Sequence, residues 1–487
     1  MRILIQLFVL FALTNVSGQI SFYKLYSGNS YDKGEGMIQM EDSSYVVTGS
    51  SGRWDGNSQA FLLKIDSLGN YKWSQQYGGP ESESGKRILY NSDLGFYIAG
   101  FSNSFGAGDF DAYLVKTDLN GTKIWEKNYG KPNQWERIND AVLALDSGIV
   151  MVGESIDMNT GNSDVYIIKT DKNGDTLWTK QLGSVGEDFA NSIVKLNNDY
   201  LIGGQWFISD SNMVKGFVLK INDLGELLYF DTISHKTGNY SVNDITIGFD
   251  RYYIIGNRNL NNSNSEYYGV YDFNGQFLSQ YTFVVSGSNT ILNQAVYVPN
   301  FDRVAIGFQT VNSGTYQDDF DIGTAYFSSD YMYYISASLS TAINNFGLDK
   351  VGDLIRTNDG AYAMVGFNSY IESGLNEQNG GNNVFVMKIG KNDVFPVTTD
   401  AVIGQLVGVE INSEMLKGKV YPNPFKDEFK IELEGAENTN ATLLNNLGQE
   451  IASFNFQSAI TYSTSFLTSG TYFLKIGNSV TKLVKLD

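Results

Sequence analysis

The sequence has no cysteine, one histidine and only 6 prolines among 487 residues. Without cysteine there is no disulfide, no thiolate metal site and no cysteine nucleophile, so packing and backbone pairing must carry the stability. A single histidine excludes multi-histidine metal centres. A Ser–His–Asp triad would have to be built on His235, in DTISHKTG, and no nucleophile motif lies nearby. His235 therefore reads as an exposed loop residue. Positive charge is also scarce: 34 Lys and Arg face 53 Asp and Glu, for a formal charge of −19. Such a chain repels phosphate backbones and anionic lipid, which makes nucleic acid and acidic membrane surfaces poor partners. Glycine clusters such as FGAG (105–108) lack the strand-to-helix setting of a phosphate cradle.

Long apolar runs are missing too. The start, MRILIQLFVLFALTNVSGQ, has Arg2, an apolar run from Ile3 to Leu13, then Ser17 and Gly18. This is the layout of a secretory signal peptide over residues 1–19. The run is shorter than the roughly twenty apolar residues a membrane span requires, and nothing later is apolar enough, so the mature form is expected to have no transmembrane segment.

What is abundant is aromatic residues and glycine: Tyr 31, Phe 30 and Gly 51. That balance favours strands joined by tight turns. A repeat then dictates the architecture. Seven β-like runs end in glycine, at Gly49, Gly100, Gly153, Gly203, Gly256, Gly307 and Gly366, spaced 50 to 59 residues apart. A turn-forming residue precedes most of them: Asp42, Asp93, Asp146, Asn198, Asp250 and Asp359. A second marker is a hairpin phrase, as in YLVKTDLNGTKIW (113–125) and YIIKTDKNGDTLW (166–178). Asp66, Asp118, Asp171 or Asn222 opens the turn, and Gly69, Gly121, Gly174 or Gly225 supplies positive φ. Each period thus holds about four strands, the signature of a β-propeller.

The seventh period stops after NVFVMKIGKNDV and never delivers its fourth strand, whereas ISFYKLYSG (20–28) reads like the fourth strands YKWSQQYGG and KIWEKNYGK. The expected fold is all-β: a seven-bladed propeller over residues 20–394, closed by an N-terminal strand that removes free sheet edges. Residues 395–418 lack the repeat and read as a linker. Residues 419–487 read as a small antiparallel β-sandwich.

That last segment contains YPNPF (421–425), NNLGQEI (445–451), LTSGTYFLKI (467–476) and a terminal KLVKL. It resembles the type A C-terminal sorting domain of the type IX secretion system, on Tyr421, Pro422, Asn423, Pro424, Gly448, Gly470 and Tyr472. The resemblance implies Sec export to the periplasm and passage across the outer membrane by the type IX machinery. It further implies removal of the domain by a sortase-like peptidase, leaving a protein that is secreted or attached to the outer-membrane surface. The repeat part resembles the propellers that precede such tails in Bacteroidetes-type surface proteins, a group of unassigned biochemical role.

Candidate site residues fall into two sets. Glu35, Glu83, Glu136, Glu187 and Asp349 lie at similar places ahead of the glycine-ended runs. If those places lead into the innermost strands, they ring one mouth of the channel and attract a cation or basic ligand; otherwise each makes a local turn or blade-to-blade hydrogen bond. Trp54, Trp135 and Trp206 stand outside the hairpin phrase and are candidates to stack on sugar or anchor a partner, or else to pack between blades. The sequence requires no cofactor. Calcium is the cation that the acid ring, or loops with Asp109, Asp111, Asp318, Asp319 and Asp321, would take, although no spacing matches a calcium-loop pattern. Lys64, Lys116, Lys169, Lys220 and Lys388 read as architecture, their stems covering apolar surface. The resulting reading is a non-catalytic secreted or cell-surface propeller that binds a glycan or protein. The alternative is a polysaccharide-acting glycosidase or lyase using carboxylates in the propeller mouth.

Overall fold

The computed structural model describes residues 22–26, 31–52, 57–233, 238–260, 263–283, 289–299, 302–311, 320–328, 334–339, 349–368, 382–389 and 399–401. In a second compact unit it describes residues 418–422, 425–433, 439–444, 450–476 and 479–486. The signal segment, Trp54, His235, Asp318, Asp319, Asn423, Pro424 and Gly448 lie outside them.

The hairpin phrase folds as its chemistry dictates. Asp66 Oδ1 accepts the N–H groups of Leu68 and Asn70 at 3.0 and 2.8 Å, and Gly69 takes φ +79°. The same arrangement recurs at Asp118, Asp171, Asn222 and Asp272, with Gly121, Gly174, Gly225 and Gly275 between +75° and +86°. A side chain with Cβ would be strained at that φ, so the repeat retains glycine.

Six sheets of four sequential antiparallel strands follow: blade 1 (32–77), blade 2 (83–129), blade 3 (134–182), blade 4 (189–232), blade 5 (239–283) and blade 6 (289–339). Blade 7 has three strands from residues 349–389, and its fourth is Phe22–Tyr26, antiparallel to Asn383–Ile389 with Tyr23 opposite Met387. The ring is therefore closed by both ends of the propeller sequence. Residues 399–401, within the expected linker, add a short parallel strand beyond Phe22–Tyr26.

Closure reuses the contact that joins the other blades. Tyr77 Oη donates to Gly121 O (2.6 Å), and Tyr129 Oη to Gly174 O (2.7 Å), each reaching the hairpin of the next blade. Tyr26 Oη makes the equivalent bond to Gly69 O at 2.7 Å. A Cβ on Gly121 would strike Trp73 at 2.7 Å, and one on Gly69 would strike Phe22 at 2.9 Å. Phe22 and Tyr26 thus take the places of Trp73 and Tyr77.

The inner strands share a second device. In all seven, the register with the neighbouring strand slips by one residue, leaving Glu35, Lys86, Asn139, Asn191, Asn243, Asn293 and Gly352 in β-bulges. The bulge pushes a carbonyl towards the strand beside it. A Cβ on Gly49, Gly100, Gly153 or Gly256 would lie 1.8 Å from that oxygen, and on Gly204 or Gly366 2.0 Å. This is why the runs end in glycine. In blade 4 the residue in this role is Gly204 rather than Gly203, which pairs with Ser192 past the bulge. Gly307 of blade 6 has its nearest neighbour at 3.2 Å, a side chain.

The strand lysines are more buried than alternation predicts. Lys169 lies between Asp146 (3.0 Å) and Asp223 (2.6 Å), and Lys388 bonds Asp359 at 2.6 Å. Lys116 instead lies 3.8 Å above the Tyr97 ring, and burial lowers its pKa to about 8. In the second unit a three-stranded and a four-stranded sheet enclose Phe429, Ile431, Leu443, Leu474 and Leu483, with Tyr472 Oη donating to Thr468 O at 2.6 Å. Among the described residues no helix is long and apolar enough to cross a membrane.

The glycine argument yields a sharp expectation. Gly153→Ala should destabilise the chain by roughly 3–5 kcal/mol, because the overlapped atom is a backbone oxygen that cannot swing away. Gly307→Ala, facing a side chain, should cost far less. Chemical denaturation of the two variants checks this, and equal losses would contradict it.

Candidate channel-mouth site

The bulges decide where inner-strand side chains point. On blades 3, 4, 5 and 7 the residue after the bulge turns around the ring towards the next blade. Asp140 Oδ2 accepts the N–H of Ile193 (2.9 Å), Asp244 Oδ2 that of Ala295 (2.7 Å) and Asp353 Oδ2 that of Met37 (3.0 Å). Ser192 Oγ donates to Asp244 Oδ1 at 2.7 Å. Arg87 completes this layer, with its guanidinium 3.2 Å from Asp140 and 3.1 Å from Asp353. It can span two blades because blade 1 has Gly36 at the intervening place. The layer is a self-bonded plug across the channel.

Burial leaves its mark on these charges. It raises the Asp140 carboxyl, with Arg87 pulling the other way, and pushes Asp244 up to about 7 against the donors Ser192 and Ala295. Asp353 and Asp140 together raise the Arg87 guanidinium above its ordinary value. Neither carboxylate beside Arg87 is left as an uncompensated buried charge.

The bulge residues form the next layer outwards. The amides of Asn139, Asn191 and Asn243 donate to the carbonyls of Ala190, Val242 and Leu292 on the following blade, at 2.6–2.9 Å. In the same layer Lys86 Nζ donates to Glu35 at 2.8 Å. These residues, with Lys350, Gln309 and, from the layer beneath, Arg87 and Asp140, line an opening of about 320 Å³ that all seven inner strands border or approach.

The candidate acids separate on this frame. Glu35 is on the blade 1 bulge and lines the opening. Glu83 and Glu136 begin inner strands and are fully buried. Glu83 accepts Ser102 Oγ, Gly79 N and Ser104 N at 2.8, 3.0 and 3.2 Å, pinning the loop between blades. Glu136 accepts Ser155 Oγ, and burial, with Asp111 adding to it, pushes its pKa up to about 7. Glu187 is exposed, and its neighbour Asp188 takes the loop-pinning place, accepting the N–H groups of Ser184 and Phe207. Asp349 begins the blade 7 inner strand opposite Asn368. The five acids therefore do not form one ring; Glu35 alone lines the mouth.

Of the tryptophans, Trp206 is sandwiched in the blade wall, 5.9 Å from Phe217 and 4.8 Å from Phe230. Trp135 is half-buried at the second residue of the blade 3 inner strand, edge-to-face with Phe110 at 5.6 Å, its Nε1 donating to Asp109 at 3.1 Å. Asp111 is buried and held by Ala107 N at 2.7 Å. Among the described residues no group of three or more His, Asp or Glu side chains is placed to hold a metal ion. The plug residues Arg87, Asp140, Asp244 and Asp353 were not singled out by sequence. A signal existed in NDA (139–141), NDI (243–245) and GDL (352–354), three acids at one register of the repeat.

The plug can be probed through its cation. In Arg87→Leu the buried Asp140 carboxyl would lose the cation that opposes its rise and would keep its proton to a higher pH than in the unfolded chain, where carboxyls titrate near 3.9. The folded state would then bind more protons, so stability must fall as pH rises. The expected loss is about 3–5 kcal/mol at pH 8 and clearly less at pH 5. Denaturation at both pH values measures it, and a pH-independent loss would refute the assignment.

Solved structures are similar to this chain at low identity. The Sqt1 structure from Chaetomium thermophilum is 11% identical with TM-score 0.43, covering 77% of this chain and 98% of that one. The β-propeller domain of the Trilobed protease from Pyrococcus furiosus is 11% identical with TM-score 0.42, covering 76% and 98%. An α-L-arabinofuranosidase from Lactobacillus brevis is 9% identical with TM-score 0.32, covering 54% and 93%. No curated protein matches the sequence. Residues 419–486 match the family described as "Secretion system C-terminal sorting domain", so the chain ends in a type IX sorting tail that marks it for export to the cell surface or the medium.

Proposed function

We propose that the propeller is a non-catalytic binding module, presented outside the cell, that takes a glycan or protein ligand at its channel mouth. The observation that carries this reading is the division of the channel into two layers. The deeper carboxylates of Asp140, Asp244 and Asp353 are engaged by backbone N–H groups, and Arg87 compensates two of them. Glu83 and Glu136 are buried in the wall. Hydrolysis or elimination of a glycoside needs a pair of carboxyl groups facing the substrate with room for water between or beside them. The acids of this channel are committed to joining blades instead. The outer layer keeps amide and charged groups around an open concavity, which suits recognition on a rigid scaffold.

Export would run in two steps. Residues 1–19 take the chain to the periplasm, and the tail takes it through the outer membrane, where a sortase-like peptidase removes it. Intact mass of the exported protein should correspond to a start near Gln19 or Ile20 and to loss of the tail; a mass retaining residues 419–487 would contradict the second step. Incubation of the exported protein with a glycan array and with surface extracts should give retained ligand of unchanged length. A saccharide shortened during incubation would overturn the non-catalytic reading in favour of a glycosidase or lyase.

A further inference from the structure

The mouth is not uniform around its circumference. Lys350 of blade 7 and Lys86 of blade 2 line it, and on blades 1 and 3 Lys33 and Arg137 stand two residues before the bulge, the register of Lys350, each beside aromatic rings. Lys33 Nζ is 5.5 Å from the centre of the Phe367 ring, and Lys86 Nζ 5.9 Å from that of Phe101. The Arg137 guanidinium lies 5.8, 5.1 and 5.3 Å from the rings of Phe101, Phe110 and Trp135. Phe110 joins the other two rings edge-on, at 5.6 Å from each. At the equivalent positions blades 4 to 6 have Phe189, Ser241, Ile291, Asn191, Asn243 and Asn293, none of them charged.

Charge on this arc is unbalanced. Glu35 is one carboxylate acted on by three ammonium groups: burial would raise its pKa, yet Lys86, Lys350 and Lys33 hold it below the usual range. Lys350 lines the opening; the surrounding protein lowers its pKa, attraction to Glu35 opposes this, and repulsion from Lys86 and Lys33 lowers it further. Arg137 meets Glu154 only at 4.0 Å, and its Nε is buried without a hydrogen-bond partner. In a chain of net charge −19, such a concentration of cations in one concavity is the opposite of what composition alone would distribute.

We propose that this arc is the binding site for an acidic polysaccharide, its carboxylate or sulfate groups held by Lys33, Lys86, Lys350 and Arg137 and a sugar face resting against Trp135 and Phe110. The proposal rests on the binding-module reading above and specifies its ligand class. Cations beside aromatic faces match a chain that alternates anionic substituents with apolar C–H faces. The amides of the opposite arc suit hydroxyl groups.

The test is calorimetric titration of the exported protein with four probes: a uronate oligosaccharide, a sulfated oligosaccharide, a neutral oligosaccharide of equal length, and poly-glutamate. At least one acidic saccharide should bind ten times or more tightly than the neutral one, with affinity falling as salt is raised; the uronate and sulfate arms report which anion is preferred. The double variant Lys33→Gln/Lys350→Gln should weaken binding by tenfold or more while keeping a cooperative thermal transition, since the attraction to Glu35 that it removes is offset by the repulsion among the lysines that it relieves. Trp135→Ala should weaken it without altering the salt dependence. Equal affinity for the neutral saccharide, insensitive to the lysine variant, would overturn the acidic class yet leave the binding module standing. Poly-glutamate binding as tightly as the saccharides would overturn the saccharide class. No binding to any probe would overturn this proposal, whereas shortening of a bound acidic saccharide would overturn the non-catalytic reading alone.

Discussion

The β-bulge near the start of each inner strand is the constraint on which the rest of the propeller depends. One extra residue per strand displaces a carbonyl, and in six of the seven blades the residue opposite is a glycine; in blade 6 that place is taken by Phe308, and Gly307 lies past the bulge. The same residue breaks the alternation of faces, so that the side chain after it points around the ring instead of into its own sheet. Asp140, Asp244 and Asp353 reach the neighbouring blade for that reason. Without the bulge those acids would lie against their own sheets and the channel would have no plug. A single backbone irregularity thus generates the repeat glycine, the blade-to-blade bonding and the floor of the candidate site.

Ring closure depends on a separate contact at the outer rim. A tyrosine hydroxyl from the outermost strand of one blade caps the hairpin carbonyl of the next, and an aromatic ring packs under the same hairpin glycine. Because this unit is short, a strand from the start of the chain can supply it as well as one from the end. Phe22 and Tyr26 do so, and the sheet edge left by blade 7 is covered. The short strand at 399–401 then covers the edge of that added strand, so the seam carries one more strand than any other blade.

Much of this was legible in the sequence, and the boundary is instructive. Seven blades, their hairpins and the transfer of the fourth strand follow from Asp–Gly turn chemistry and from the likeness of ISFYKLYSG to YKWSQQYGG, both local patterns. The placement of acids was less legible because it depends on register to the single residue. Glu35 lies on its bulge whereas Glu83 lies three residues before the bulge at Lys86, and Glu187 is next to Asp188, which does the pinning. Without knowing where the bulge falls, these cannot be told apart. Arg87 was missed for a different reason: its partners Asp140 and Asp353 lie on blades 3 and 7, and only the ring brings them within 3.2 Å of one guanidinium. Trp206 shows the converse, a residue outside the repeat phrase that the fold nonetheless packs against Phe217 and Phe230.

The two layers of the channel also explain how an acidic protein maintains a cationic arc. The mouth concentrates ammonium and guanidinium groups, while the plug beneath concentrates carboxylates around one arginine. Taken together the layers come close to cancelling, so the isolated molecule is not burdened with a large uncompensated field in its centre. Held by backbone N–H groups, the plug carboxylates are fixed in position and cannot swing up to pair with the mouth lysines. Glu35 differs from them: it shares the mouth layer with Lys86, whereas Asp140 meets the opening from beneath, already paired with Arg87. A ligand that brings anions to Lys33, Lys86 and Lys350 therefore competes with one carboxylate, not with the whole acidic complement of the channel. That separation, set by the one-residue difference between a bulge and the residue after it, keeps the outer layer available while the inner layer holds the blades together.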